Sequence, residues 1–210
     1  MSIDLTKCRE LASGNIATCK GRMSYAQYTI GGQLNKQGKM VWNGALLVPP
    51  NCDFTLLKNK MGVIALDKLD GDETRAKKMV EKRFLDPNDL PNGGKPAGPE
   101  FKGWTLIRCS SQQAPDFAGP DGKKIPPEQV AREAYSGRWA SFSVNPYWSS
   151  NDENPGVFIG LQNVQLLDHD DNLGAVKARA DDEFGAVEGV DTGEATQSEV
   201  QASNVDAMFG

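Results

Sequence analysis

The segments SGRWASFSVNPY (residues 136–147) and GVFIGLQNVQLL (residues 156–167) alternate apolar and polar residues. This alternation is typical of β-strands that bury one face and expose the other. The residues expected to face a common core are Ala140, Phe142, Val144, Val157, Ile159 and Leu161. The two segments therefore predict two strands of a single β-domain.

Three more strands are predicted upstream, over residues 16–30, 39–48 and 103–110. The second of these ends at Pro49 and Pro50, because proline cannot donate to a sheet ladder. Alternation in the first predicts an inner face of Ala17, Cys19, Met23 and Tyr25 and an outer face of Thr18, Lys20, Arg22 and Ser24.

Two helices are predicted between the second and third of these strands. The first begins near Asn51 or Asp53 and carries apolar side chains up to Leu66, and the second covers residues 72–84. A short third helix is predicted over residues 127–134. Five strands with a helical insertion predict a mainly β fold, an OB-fold-like five-stranded barrel, although helices after the second strand depart from the usual order of that fold.

Charge is distributed unevenly along the chain. Residues 180–210 contain eight acids and no lysine or arginine, so their charge is −8. All 23 basic residues precede them, with the other 20 of the 28 acids, which gives residues 1–179 a charge of +3. Because the acidic segment has little apolar surface to offset its ordering entropy, we expect one folded domain, residues 1–179, followed by a disordered acidic tail. A purely solubilising tail would have the same composition.

The sequence predicts a soluble, cytoplasmic protein. Its opening, MSIDLTKCRE, lacks the apolar run of a signal peptide, and no segment reaches the length that crosses a membrane. The cysteines Cys8, Cys19, Cys52 and Cys109 form no C-x-x-C pair. They are predicted to be reduced, buried or half-buried thiols rather than zinc ligands, and no cofactor is expected.

Signatures of catalysis are sparse. The single histidine, His169, lies in the acidic run DHDDN (168–172), which is a poor setting for a nucleophile–histidine dyad. The pattern G-x-x-x-x-G-K-[ST] is absent, as is a G-x-G-x-x-G placed between a strand and a helix. Acids between Asp67 and Glu73 could form the magnesium site of a nuclease, but a junction between two helices explains them better. We therefore expect a protein that is not an enzyme.

Aromatic and basic residues interleaved on the strands give a stronger signal. The outer face of residues 136–147, with its flanks, presents Arg138, Trp139, Ser141, Ser143, Asn145, Tyr147 and Trp148. Flat rings separated by small polar groups suit the stacking of bases from a single nucleic-acid strand, at about 1–3 kcal/mol per base. Further candidate contacts are Lys20, Arg22, Tyr25, Trp42, Trp104, Arg108 and Phe158. Trp42, Trp104 and Tyr25 fit packing inside the barrel equally well.

Four segments resemble a tailed-phage family of single-stranded DNA-binding proteins. They are GRMSY (21–25), GGKPAGPEFKGWTLIR (93–108), YSGRWASFSVNPYW (135–148) and NPGVFIGLQNVQLLDHDDNLG (154–174). The resemblance implies an OB-fold, sequence-nonspecific binding of single-stranded DNA, and a role in phage DNA replication or recombination. The rival interpretation is a phage structural or assembly protein that contacts proteins and does not bind DNA.

The end of the chain is similar to phage replication proteins whose acidic tails end in or near phenylalanine. This likeness implies that Asp206, Met208 and Phe209 recruit replication or recombination partners, although here Gly210 follows Phe209. Since the tail is anionic like DNA, we also expect it to compete with DNA for the binding groove. Self-association on DNA is a further open alternative.

Overall fold

The computed structural model describes residues 3–91, 94–151 and 154–173. The strands in this part of the chain are β1 (Arg9–Glu10), β2 (Ile16–Ala17), β3 (Gly21–Ser24), β4 (Gln33–Leu34), β5 (Met40–Val48), β6 (Phe84–Leu85), β7 (Thr105–Ser111), β8 (Asp116–Ala118), β9 (Trp139–Ser149) and β10 (Gly156–Leu166). The helices are α1 (Ala26–Ile30), α2 (Thr55–Lys68), α3 (Glu73–Glu81) and α4 (Pro127–Glu133), with a 3-10 turn at Pro99–Phe101. The predicted acidic tail, residues 180–210, lies outside the described residues.

Five of the strands pair in a closed ring. β9 pairs with β3, β3 with β5, β5 with β7 and β9 with β10, all antiparallel. The ring closes where β7 and β10 meet in parallel, at Ser110 and Gly160. The five short strands β1, β2, β4, β6 and β8 pair at the margins of this ring. The mainly β, OB-fold-like prediction is confirmed.

The hairpin of β9 and β10 supplies much of the core. The six apolar residues predicted to face inward on these strands are each no more than 2% exposed. A β-bulge between Leu161 and Asn163 shifts the register of the hairpin. As a result Gln162 and Asn163 are both exposed, and burial resumes at Val164.

The single strand predicted over residues 16–30 is wrong. The chain instead forms β2, β3 and α1. Residues 18–20 separate β2 from β3, and β3 ends before Tyr25, which takes a left-handed backbone conformation (φ 53°) at which α1 begins. Ser136 Oγ accepts a hydrogen bond from Ala26 N at 3.0 Å and holds this turn. Two predicted orientations are also reversed. Tyr25, predicted to face inward, is 46% exposed, and Thr18, predicted to face outward, is buried at 3% and exchanges hydrogen bonds with Phe142.

The helical insertion lies between β5 and β7, as predicted. Asp53 Oδ1 accepts from Thr55 N at 2.8 Å at the start of α2, and Asp72 Oδ1 accepts from Arg75 N at 2.9 Å at the start of α3. The second helix ends at Glu81, earlier than predicted, because the next residues form β6 and pair with β7. Strand β8 was not predicted; it has only three residues, too few for a periodic signal.

The cysteines are free thiols, three of them buried and Cys52 half-buried, as the sequence predicted. Cys8 Sγ and Cys19 Sγ are 3.8 Å apart, and burial raises the pKa of the Cys109 thiol to about 12. Among the described residues, no helix combines the length and apolar character needed to span a membrane.

Candidate nucleic-acid interface

The aromatic face predicted for β9 divides into two separate surfaces. Trp139 and Tyr147 lie eight residues apart, which is about 27 Å along an extended strand. Between them Ser141 is only 3% exposed, and its Oγ donates to Thr18 O at 2.8 Å. The continuous face that alternation predicted is therefore not formed, and each ring belongs to its own cluster.

At one end of β9, Tyr147 and Phe158 form a pair of nearly parallel rings. Their centroids are 6.0 Å apart with an angle of 29° between the planes, and the two residues are opposite each other in the β9–β10 ladder. The Arg83 guanidinium lies 3.7 Å from the Phe158 ring centroid, and its Nε donates to Val157 O at 2.7 Å. Tyr147 remains 38% exposed. We call Arg83, Phe158 and Tyr147 the Tyr147 stack.

Gly160 makes room beside this stack. A Cβ atom at Gly160 would lie 2.5 Å from Asn145 Oδ1 and 3.4 Å from Tyr147 Cδ1, so a side chain here would displace Asn145. Instead Asn145 Oδ1 accepts from Gln162 Nε2 at 2.7 Å, which places two amide side chains next to the exposed tyrosine ring.

A groove runs from the Tyr147 stack across the barrel wall to α1. It consists of two adjoining cavities of about 250 and 290 Å³, which share Asn43 on β5 and Arg108 and Cys109 on β7. We call this surface the central groove; its defining residues are Tyr25, Tyr28, Gln33, Asn43, Lys82, Arg83, Lys95, Arg108, Ser110 and Phe158.

A second pair of rings stands at the far end of the central groove. Tyr25 and Tyr28 are 46% and 39% exposed, with centroids 6.3 Å apart and an angle of 29° between their planes. The left-handed conformation of Tyr25 turns its ring out of the core. Both ends of the groove therefore offer flat, accessible aromatic surface.

Three of the four cations that define the central groove are available to a ligand. Within the part of the chain that the structure describes, the side chains of Lys82, Lys95 and Arg108 take part in no ion pair, side-chain hydrogen bond or ring contact. Arg108 lies on β7, exposed on the floor of the groove. Free cations between two ring pairs are suited to a ligand that alternates negative charges with flat bases.

The Trp139 end of β9 carries a different cluster. The Trp104 and Trp139 rings are 6.1 Å apart at 35°, and Lys20 Nζ lies 4.7 Å above the Trp139 ring. Phe101 packs edge-on against Trp104 at 5.0 Å, so Trp104 is half-buried. We call Lys20, Arg22, Trp104 and Trp139 the Trp139 cluster.

Acidic residues already occupy the polar groups of the Trp139 cluster. Lys20 pairs with Asp168, Arg22 pairs with Asp170 Oδ1 at 3.4 Å, and Trp139 Nε1 donates to Asp170 Oδ2 at 2.8 Å. The hydrogen bond from Lys20 holds the pKa of the Asp168 carboxyl below its ordinary value. The cations here are thus neutralised by the protein itself.

Arg138 is a correction to the predicted site. It is 3% exposed, its guanidinium donates to Leu167 O at 2.7 Å, and it lies 3.5 Å from Glu133 Oε2 and in contact with His169. Its position just before β9 places it beneath the surface, where it holds the end of β10. Among the other candidates, Trp148 is half-buried against the core.

Trp42 is half-buried and packs on Gly32, where a Cβ atom would lie 3.1 Å from the indole. The candidate residues Asp206, Met208 and Phe209 lie outside the described residues. The groove residues that sequence reasoning missed are Tyr28, Gln33, Asn43, Lys82, Arg83, Lys95 and Ser110. Tyr28 and Arg83 were missed because they belong to no regular strand face.

Comparison with known proteins identifies relatives of this chain. A family model described as "Enterobacter phage Enc34, ssDNA-binding protein" matches residues 14–196. The single-stranded DNA-binding protein of bacteriophage Enc34 in complex with single-stranded DNA has a similar fold, with a TM-score of 0.65 and 19% identity, covering 83% of this chain and 96% of that one.

Two further structures of the bacteriophage Enc34 protein are also similar. A C-terminal truncation gives a TM-score of 0.59 at 19% identity, covering 83% of this chain and 94% of that one. The structure described without DNA gives 0.54 at 19% identity, covering 88% and 97%. No curated protein matches the chain in sequence.

These matches confirm two predictions made from the sequence. The similar structures share the OB-fold-like architecture, and the family consists of binding proteins rather than enzymes. Because the family model covers most of the chain, from residue 14 to residue 196, the chain belongs to the phage Enc34 family of single-stranded DNA-binding proteins.

Proposed function

We propose that this chain binds single-stranded DNA in the central groove, without sequence preference and without any catalytic step. The observation that carries the proposal is the Tyr147–Phe158 ring pair, in which Tyr147 is exposed and Phe158 lines a groove whose cations Lys82, Lys95 and Arg108 are unpaired in the described structure. Family membership supports it, as does the existence of a related fold in complex with single-stranded DNA.

The mechanism combines stacking with charge. Bases would stack on the Tyr147 stack and on Tyr25 and Tyr28, each contributing about 1–3 kcal/mol whatever the base, since every base has a flat face. Lys82, Lys95 and Arg108 would meet the phosphates between them. The groove lies on β5 and β7, the second and third strands of the barrel, which is the surface on which OB-folds bind oligonucleotides.

The biological role would be protection of single strands during phage DNA replication or recombination in the cytoplasm of the host cell. A titration of the chain with labelled oligo-dT at two salt concentrations tests this function. We expect saturable binding that weakens with salt and is tighter than binding to a duplex of the same length. A structural or assembly protein would give no salt-dependent binding.

Replacing Arg108 by glutamine should weaken oligo-dT binding several-fold and reduce the salt dependence of binding. When the logarithm of the association constant is plotted against the logarithm of the salt concentration, each lost phosphate contact makes the line less steep by about 0.7 for a single strand. Lys123→Gln is a matched control, because Lys123 is an exposed cation outside the groove. Equal slopes for the two variants would mean that Arg108 does not meet phosphate.

The acidic tail, residues 180–210, is proposed to compete with DNA for the groove and to recruit replication partners through Met208 and Phe209. Its charge of −8, against +3 for residues 1–179, supports this role. Deleting residues 180–210 should therefore tighten oligo-dT binding at low salt, and the gain should disappear at high salt because screening removes it. Unchanged affinity at low salt would contradict competition by the tail.

A further inference from the structure

The Trp139 cluster has the chemistry of a nucleic-acid contact. Two indole rings lie side by side, and a lysine, an arginine and an indole N–H converge on the carboxylates of Asp168 and Asp170. Groups that bind carboxylate oxygens in this way also bind phosphate oxygens. The cluster can therefore bind a phosphate next to a stacked base. In this structure the carboxylates of Asp168 and Asp170 occupy the position of the phosphate.

The two carboxylates can be displaced without unfolding the segment that carries them. The side chain of Asp168 is 70% exposed, so its ion pair with Lys20 is open to solvent and contributes only about 0–1 kcal/mol. The side chain of Asp170 is 34% exposed and its partner Arg22 is 13% exposed, so this second pair is partly shielded from solvent. The segment itself is held by backbone hydrogen bonds from Trp139 N to Asp168 O at 3.1 Å and from Leu173 N to Ser136 O at 2.9 Å. A ligand needs to replace the contacts of the two carboxylates, which include a hydrogen bond from Asp171 N to Asp170 Oδ1 at 2.7 Å, and not the backbone hydrogen bonds that hold the segment.

A third cavity links this region to the central groove. It has a volume of about 500 Å³ and shares Tyr25 and Lys95 with the groove. Its lining also includes Leu173, which follows the acidic segment, and Phe101, which packs against Trp104. A single strand that leaves the groove at Tyr25 thus has an open path towards the Trp139 cluster.

We propose that the Trp139 cluster is a second contact site for single-stranded DNA, and that Asp168 and Asp170 occupy it in place of phosphates until a strand displaces them. This inference rests on the proposed function of the central groove and extends it. Strands that reach only the groove leave the carboxylates in place, whereas longer strands exchange them for phosphates. Because a strand must first displace Asp168 and Asp170, its affinity for the second site is lower than the rings and cations alone would give.

The test is the double variant Asp168→Asn, Asp170→Asn in the full chain, with a long oligo-dT. Asparagine keeps the size and the hydrogen-bond acceptor but removes the charge. Lys20 is then freed, and the charge of Arg22 is no longer neutralised, although Arg22 still donates to Gly137 O and Asp171 O. The slope of log K against log salt should therefore steepen by about 1.4, and binding at roughly 50 mM salt should tighten about tenfold. Adding Lys20→Gln should reverse about half of the steepening.

The control is Asp67→Asn, Asp70→Asn, which removes the same charge from the last turn of α2 and the loop between α2 and α3. If the Asp168→Asn, Asp170→Asn variant and this control bind alike, or if Lys20→Gln reverses nothing, the second site is refuted while groove binding by the unmodified chain stands. If the unmodified chain does not bind oligo-dT, the proposed function itself is refuted. Thermal unfolding of each variant verifies that the fold is intact.

Discussion

Replacing Tyr147 and Phe158 together by alanine should weaken oligo-dT binding by about 5- to 150-fold. One base stacked on aromatic rings contributes about 1–3 kcal/mol, and each 1.4 kcal/mol corresponds to about tenfold in affinity. The two rings stand 6.0 Å apart at 29° and Tyr147 is 38% exposed, so both can take part in one stack with a base. Fluorescence anisotropy with a labelled oligonucleotide measures the effect.

The matched control for this variant keeps both rings. Tyr147→Phe with Phe158→Tyr preserves the aromatic surface, so its affinity should stay within a few-fold of the unmodified chain. The slope of log K against log salt should change little in the alanine variant, because stacking releases few counterions. If the alanine variant binds as tightly as the control, the DNA does not stack at this end of the groove.

Replacing Phe142 by alanine should lower the free energy of unfolding by about 3–5 kcal/mol. The ring is 1% exposed in the centre of β9, and it packs so close to β5 that a Cβ atom on Gly44 would lie 2.8 Å from Phe142 Cε2. Closely packed strands on every side leave little freedom for the cavity to collapse. Urea denaturation followed by circular dichroism measures the change.

Phe142→Leu serves as the conservative variant, and it should cost clearly less because it removes a smaller volume. A loss below about 1 kcal/mol for alanine would be typical of a surface position. It would show that the hairpin of β9 and β10 is not the centre of the core. Since natural domains are stable by only about 5–15 kcal/mol, the alanine variant is also expected to be sensitive to proteolysis.

The sequence predicted the barrel well where strands are long and one face is buried. The inward residues of β9 and β10, from Ala140 to Leu161, were identified by alternation, because the period of two is repeated several times in each strand. The failure over residues 16–30 has a local cause. Tyr25 takes a left-handed backbone conformation that a tyrosine in the sequence does not predict, and the helix that follows has only five residues.

The binding site was only partly predictable for a related reason. Tyr147, Phe158 and Arg108 lie on regular strands, so their outward direction followed from the pattern. Arg83 reaches the site from the turn between α3 and β6, and Tyr28 from a short helix, and no pattern along one strand relates either residue to the groove. The burial of Arg138 and Ser141 depends on neighbours that are distant in sequence, Leu167 and Thr18.

Photo-crosslinking tests most directly whether single-stranded DNA lies in the central groove. The chain would be irradiated with an oligo-dT that carries 5-bromouracil, and the crosslinked peptides would be mapped by mass spectrometry. We predict crosslinks at Tyr147 or Phe158 and at Tyr25 or Tyr28, the ring pairs at the two ends of the groove. Crosslinks confined to α2 and α3, with none at either ring pair, would contradict the proposed path of the DNA.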